Sequence, residues 1–321
     1  MMERRPLVTI AIPTFNRAQT YLPQVLGCAL VQTYPNIEVI VSDNCSTDNT
    51  SEVIANHHDQ RVRYFRHARP VVPNDNFNFC LSQARGEYFL LLLDDEMIDA
   101  TLVEICVGMS HVNPKAGLIR TGLRIVDTNG VVVQEIPNLA NHADLAGLFM
   151  DWFAGRTTFY LCNTLFRTEA LRSIGGLQSR HNLFQDVMAQ VRVAATFGRI
   201  DIKQILASTR SHVGQSTYAA KVIDWVDDSL DLLALMQSVV DRDHDLIRAR
   251  GRRFFASICY SRANAIRSPI KRVMAYRAVY NRFGRQCLPP VRMILASTAL
   301  YRQLRNIKRR LKGQPSWAAA G

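Results

Sequence analysis

The chain has 321 residues, 48% of them apolar and 21% charged, which supplies material for a sizeable core and excludes a disordered or fibrous chain. Its seven cysteines are odd in number and form no C-x-x-C, so a complete disulfide framework is excluded and a reducing compartment is expected. The net charge of +12 is uneven: 18 Lys/Arg and no Asp or Glu follow Asp245, while the preceding residues hold 21 basic and 27 acidic side chains. A mildly acidic body therefore carries a basic tail segment suited to an anionic partner.

Leu7–Pro13 is an apolar run of β type that ends on a proline, and Tyr21–Thr33 reads as a helix. Ile37–Ser42 is a second buried strand, Ser46–Asp48 opens a helix, and Val62–Arg66 is a third strand. Asn76–Ala84 is helical. Tyr88–Leu93 is a fourth, wholly apolar strand that runs straight into Asp94-Asp95-Glu96. Strands alternating with helices at this spacing predict βαβ units and a parallel sheet, and runs without alternation predict strands covered on both faces. After a helix at Ala100–His111, Gly117–Asp127 and Val131–Ile136 flank Thr128-Asn129-Gly130, a hairpin signal. Ile200–Ala207 is one more apolar strand. From Lys221 the pattern is helical, with breaks expected near Gly251, Ser268-Pro269 and Leu288-Pro289-Pro290, and Gln314–Gly321 reads as a disordered end. The domain expectation is 1–218 for the α/β body and 219–321 for a helical, basic region.

Ligands of open parallel sheets bind beyond the carboxyl ends of the strands. Three such ends carry polar clusters: Pro13-Thr14-Phe15-Asn16-Arg17, Ser42-Asp43-Asn44-Cys45-Ser46-Thr47-Asp48, and Asp94-Asp95-Glu96. The first loop has no glycine before Gly27, so it is no dinucleotide fingerprint, and the chain has no P-loop. Phosphates at this rim would need side chains and a metal for neutralisation. The acidic cluster offers oxygen ligands of the kind Mg2+ and Mn2+ prefer, although the same residues could simply favour a helix N-terminus.

These segments, with Ala84-Arg85-Gly86-Glu87 before the fourth strand, resemble the nucleotide-binding half of glycosyltransferase family 2, and the likeness runs from about Leu7 to Ser216. The resemblance implies an α/β GT-A fold, a Rossmann-like, mixed and mainly parallel sheet flanked by helices, with a C-terminal helical basic segment added here. It implies that Pro13, Thr14 and Asn16 embrace a nucleotide, that Asp43 meets the base, and that Asn78 belongs to a donor-site helix. Asp94 would contact ribose or sugar and Asp95 would ligate Mg2+ or Mn2+. Capping or turn formation is the alternative use of Asp43 and Asp48.

Further along, Phe166-Arg167-Thr168-Glu169-Ala170-Leu171 and Ile174-Gly175-Gly176-Leu177 resemble the segment before the family's base. Asp186, in Gln185-Asp186, would be that base, the alternative being a helix cap. Arg210-Ser211-His212 resembles a late R-x-H segment, with His212 a second metal ligand or a structural histidine. Two departures stand out: Leu93 occupies a position often acidic in the family, and Gln185 replaces a glutamate.

The implied activity is inverting transfer from a nucleotide diphosphate sugar, typically a UDP-sugar, to a glycan or lipid-linked acceptor. A non-catalytic nucleotide-sugar-binding scaffold with a membrane-associating tail is the alternative. Acceptor contacts are expected from loops within 136–165. Met1 to Pro6 shows no signal-peptide h-region, and no run approaches about 18 uninterrupted apolar residues. Leu288–Lys312 has amphipathic spacing, so the expected location is the cytoplasm, with two uses of this region open: peripheral contact with the inner face of the cytoplasmic membrane, or a solvated helical bundle packed on the α/β body. Nucleic acid is not an expected partner, since no basic–aromatic readout motif is present.

Overall fold

The computed structural model describes residues 5–211 and 220–288. The chain divides into two compact units, Met1–Ser211 with Ser238–Arg242, and His212–Gln237 with Asp243–Gly321. The first unit holds the nine described strands in one sheet. They are β1 (Val8–Thr14), β2 (Ile37–Asp43), β3 (Val62–Arg66), β4 (Tyr88–Leu91), β5 (Glu96–Ile98), β6 (Leu118–Val126), β7 (Val132–Ile136), β8 (Thr164–Arg167) and β9 (Arg199–Arg210). Their order is β3-β2-β1-β4-β8-β6-β9-β5, with β7 paired to β6. The β3-β2-β1-β4 part is parallel, as alternation with helices predicted. Beyond β4 the sheet is mixed: β8 is antiparallel to β4 and β6, β9 is parallel to β6, and β5 is antiparallel to β9.

Both faces of the sheet are covered, and for that reason β1 and β2 are buried throughout and mostly apolar rather than alternating. On one face Val8, Ile10 and Ile12 pack with Leu22, Val25 and Leu26 of α1 (Leu22–Leu30) and with Val103 and Cys106 of α4 (Leu102–Ser110). On the other, Ala11, Ile40, Phe89 and Leu91 meet Cys80 and Leu81 of α3 (Pro73–Gln83), Leu171 of α6 (Thr168–Ser173) and Ala189 and Val193 of α7 (Gln185–Phe197). The remaining helices of this unit are α2 (Thr50–Ala55) and α5 (Leu145–Phe153). Gly86 lies against the β1 backbone. A Cβ there would meet Thr9 N at 2.6 Å and Leu7 O at 2.8 Å, so only glycine lets β4 start here.

Four local expectations differ from the fold. β4 stops at Leu91, short of Leu93, and Glu96 starts a short strand paired with β9 (Glu96↔Thr209) instead of ending the loop cluster after β4. α1 ends at Leu30, short of Thr33. α3 begins at Pro73, whose missing N–H suits the first helical position. Gly251 breaks nothing: α9 (His244–Asn264) runs through it, with Gly251 buried.

The second unit contains α8 (Val222–Ser238), α9 and α10 (Pro269–Phe283). Ser268 caps α10 by accepting from Lys271 N, so the Ser268-Pro269 break is real. Arg262 lies over the Trp225 ring at 4.5 Å, Tyr260 stacks on Tyr276 at 5.2 Å, and Tyr260 Oη donates to Cys287 O at 3.0 Å. Among the described residues no helix is long and apolar enough to cross a membrane. His212, nearly all of Leu288–Lys312 and Gln314–Gly321 lie outside the described residues.

Candidate active site

The carboxyl ends of β1 and β2 and the turn after β4 interlock through side chains. Thr14 Oγ1 donates to Asp94 Oδ2 at 2.9 Å, and Phe15 N donates to the same oxygen at 3.2 Å. Asn16 sits in the left-handed region at φ 54, which aims its amide across the rim. Its N–H donates to Ser46 Oγ at 2.9 Å, while its Oδ1 accepts from Thr47 N at 2.8 Å. Ala18 N donates to Asp48 Oδ2 at 3.1 Å. Pro13 is paired with Ser42 in the β1–β2 register and is buried.

Asp43 is 1% exposed. One oxygen accepts from Ser46 N at 2.8 Å and the other from Tyr64 Oη at 2.7 Å, with Arg66 Nε at 3.8 Å. The carboxylate thus organises its own turn at the rim. Asp48 accepts from both N and Oγ1 of Thr50, the turn-forming use considered for it.

For the acids after β4, burial and like charge outweigh the donors they do have. Burial and the neighbouring Asp95 charge push Asp94 up to about 6, against donors from Thr14 and Phe15 and the Arg17 charge. Arg17 Nε stands 3.9 Å from Asp94 Oδ1. Glu96 is 2% exposed and accepts from Leu93 N at 2.9 Å. Burial, then the charges of Asp95 and Asp186, raise it to about 8, so it keeps its proton at neutral pH. Asp95 sits half-buried on the turn between them. Among the described residues no three His, Cys, Asp or Glu side chains converge as a ready metal site. The turn does offer hard oxygen donors and excess negative charge, which suits Mg2+ or Mn2+ that shares its shell with substrate phosphates.

Asp186 lies in the first turn of α7, and burial raises it to about 6. Its Oδ1 accepts from Val187 N at 2.8 Å, so one oxygen serves the helix start. The helix is fixed behind it by Gln190, which receives Thr164 Oγ1 and donates to Tyr160 O. Asn78 is spent on architecture: Nδ2 donates to Leu177 O and Oδ1 accepts from Leu177 N, both at 2.9 Å. Gly176 passes so close that a Cβ would lie 2.4 Å from Asn78 Oδ1. Asn78 therefore clamps the loop before α7 to α3.

Reading the sequence missed Tyr64, Arg66 and Cys162. Tyr64 and Arg66 are two apart on β3, hence on one face, and Arg66 is in register with Asp43; that spacing was the available signal. Cys162 hydrogen-bonds Glu96, a contact no local pattern announces.

The model of the glycosyl transferase family 2 matches residues 9–175. An uncharacterized glycosyltransferase of Rickettsia bellii is 35% identical over 133 residues, 41% of this chain and 19% of the relative. The GalNAc(5)-diNAcBac-PP-undecaprenol beta-1,3-glucosyltransferase of Campylobacter jejuni is 37% identical over 94 residues, 28% of this chain and 30% of the relative. The match thus spans well under half of these relatives' length. Among solved structures, S. aureus TarS 1-349 in complex with UDP-GlcNAc shares the fold at TM-score 0.61 and 15% identity, over 96% of this chain and 93% of that one. Mannosyltransferase PcManGT from Pyrobaculum calidifontis, in complex with GDP-Man and Mn2+, follows at 0.56 and 17%, over 94% and 83%. The mixed sheet with its flanking helices is the GT-A fold, and, with the family's model matched over just over half of its residues, the chain belongs to glycosyltransferase family 2.

Proposed function

We propose that the protein is an inverting glycosyltransferase that moves a sugar from a UDP-sugar to a hydroxyl of a glycan or lipid-linked acceptor. The observation that carries this reading is the rim itself, where the loop after β1 bonds Asp94 beyond β4 and Ser46 and Thr47 beyond β2. Asp186, with its proton affinity raised to about 6, acts on the same buried carboxyl, Glu96, as Asp95 does. A poised base and an acidic turn therefore share one low-dielectric neighbourhood. UDP-GlcNAc bound to TarS, and GDP-Man with Mn2+ bound to PcManGT, support a nucleotide-sugar donor by likeness of fold.

In this reading the loop of Pro13, Thr14 and Asn16 and the Asp43 turn border the nucleotide, and Asp94 faces ribose or sugar. Asn78 contributes by holding the 175–177 loop. Asp95, with His212 as a second ligand, would hold Mg2+ or Mn2+, which supplies charge stabilisation for the departing diphosphate. Asp186 takes the proton of the acceptor hydroxyl as its oxygen attacks the anomeric carbon. The bond to the diphosphate breaks on the opposite face, and the configuration inverts. The basic tail holds the protein at the inner face of the cytoplasmic membrane, where a lipid-linked acceptor would be presented. The Campylobacter jejuni relative, whose name carries an undecaprenol-linked acceptor, supports that class.

The test is Asp186→Asn. Transfer should drop by roughly a thousandfold, while the UDP-sugar still raises the melting temperature as in the wild type. Undiminished transfer would remove Asp186 as the base, and a wild-type protein that binds donor without transferring it would make the chain a scaffold.

A further inference from the structure

We infer that the outward face of α10 docks on an anionic lipid bilayer and sinks Ile270, Val273 and Met274 into the headgroup region. The inference deepens the membrane part of the proposed function and rests on it. It concerns an element distinct from the Leu288–Lys312 stretch.

α10 turns Val279 and Phe283 inward, at 0% and 1% exposure. Ile270, Val273 and Met274 are 75%, 67% and 66% exposed. Their spacing of three and four residues stacks them on one face of the first two turns. Among the described residues helix packing does not use them, so removal from water is how this cluster gains hydrophobic free energy.

The surrounding charge selects the partner. Arg267, Lys271 and Arg277 are exposed beside the cluster, and no acidic residue occurs anywhere after Asp245. A cationic rim around an aliphatic centre complements an anionic membrane interface, where Lys and Arg meet headgroup phosphates and aliphatic side chains reach the acyl boundary. Single-stranded nucleic acid would instead call for aromatic stacking platforms, and this face presents none. A second copy of the chain would bring an equal positive charge against it.

The experiment compares the full chain with the triple variant Ile270→Ser, Val273→Ser, Met274→Ser, which changes no charge. Both are sedimented with vesicles of phosphatidylcholine alone and of equimolar phosphatidylcholine and phosphatidylglycerol. The wild type should prefer the anionic vesicles, and the triple variant should lose about tenfold in affinity for them. Separately, Met274→Trp should shift its fluorescence to the blue on anionic vesicles and be quenched by brominated lipid. Equal affinity of triple variant and wild type, equal binding to neutral vesicles, or an unquenched Trp at 274 would overturn the inference. So would a triple variant that dissociates a dimer without losing vesicles, or one whose loss appears only on single-stranded DNA. Donor binding is read in parallel by thermal shift. A failed vesicle result with donor binding intact rejects the α10 face alone, whereas absent donor binding with the vesicle result retained rejects the transferase reading alone.

Discussion

Buried carboxylates at two places in the first unit behave in opposite ways. At the start of β2, Glu38 is 7% exposed. It accepts from Thr9 Oγ1 at 2.6 Å, Arg85 N at 2.7 Å and Arg63 Nη1 at 2.8 Å. Burial works against its charge, but these donors outweigh burial and hold its pKa below the usual value. Asp201 is likewise lowered against burial, by Arg120, Arg199 and Asn138. At the rim after β4 the sign is reversed: Asp94, Glu96 and Asp186 are all raised. Burial is common to both sets, so the difference lies in dedicated cations and donors. A carboxylate with its full set of partners is part of the scaffold. One whose donors do not outweigh burial and like charge stores a demand that a ligand can satisfy.

The largest effect in this contrast should come from removing charge at the rim after β4. Asp95→Ala is expected to lower transfer by roughly a hundred- to a thousandfold and to abolish any gain in donor affinity on adding Mn2+. Isothermal titration with and without Mn2+ checks this. If wild-type donor affinity is the same in both, the metal assignment at Asp95 is wrong and the rim acids need another explanation. At the compensated place the same kind of change should hit folding instead. Glu38→Ala leaves Arg63, Thr9 and the Arg85 N–H without their acceptor and should cost about 3 kcal/mol of stability. Denaturant titration measures the loss, and donor affinity of the folded fraction should be unchanged. A weakened donor affinity there would erase the distinction between scaffold and site.

The contrast was half visible in the sequence. Apolar runs without alternation announced β1, β2 and β4, and the polar residues that end them announced the rim, because strand ends and turn chemistry are local. The hairpin at Asn129-Gly130 was legible for the same reason. Asp94-Asp95-Glu96 reads as one acidic cluster, yet its last member is buried in β5 by pairing with Thr209, more than a hundred residues away. Asn78 reads as a donor-site residue, yet its amide meets Leu177. Gly251 reads as a helix breaker, yet it is buried within α9, where packing overrides propensity. What stayed hidden for Glu96 and Asn78 was a partner distant in sequence.

The smallest effect is the sharpest test, because it isolates one group. Burial raises Asp186 to about 6, so the folded state binds its proton more tightly than the unfolded chain does. Stability from the protonated form is therefore fully present below about pH 4 and is lost as pH rises through about 6. An asparagine has no proton to lose. Asp186→Asn should match the wild type near pH 4 and exceed it above pH 6. The full shift of about two units would be worth roughly 3 kcal/mol; with the side chain only half-buried, about 1–2 kcal/mol is the reasonable expectation. Asp94 and Glu96 titrate in the same range in both proteins; the Asp186 charge that raises Glu96 is absent from the variant, and its loss adds to the variant's gain at high pH. Melting curves at pH 4.5 and pH 8 measure it. A variant less stable than the wild type at pH 8 would mean that the ionised Asp186 is paired after all and belongs with Glu38 and Asp201 among the scaffold acids.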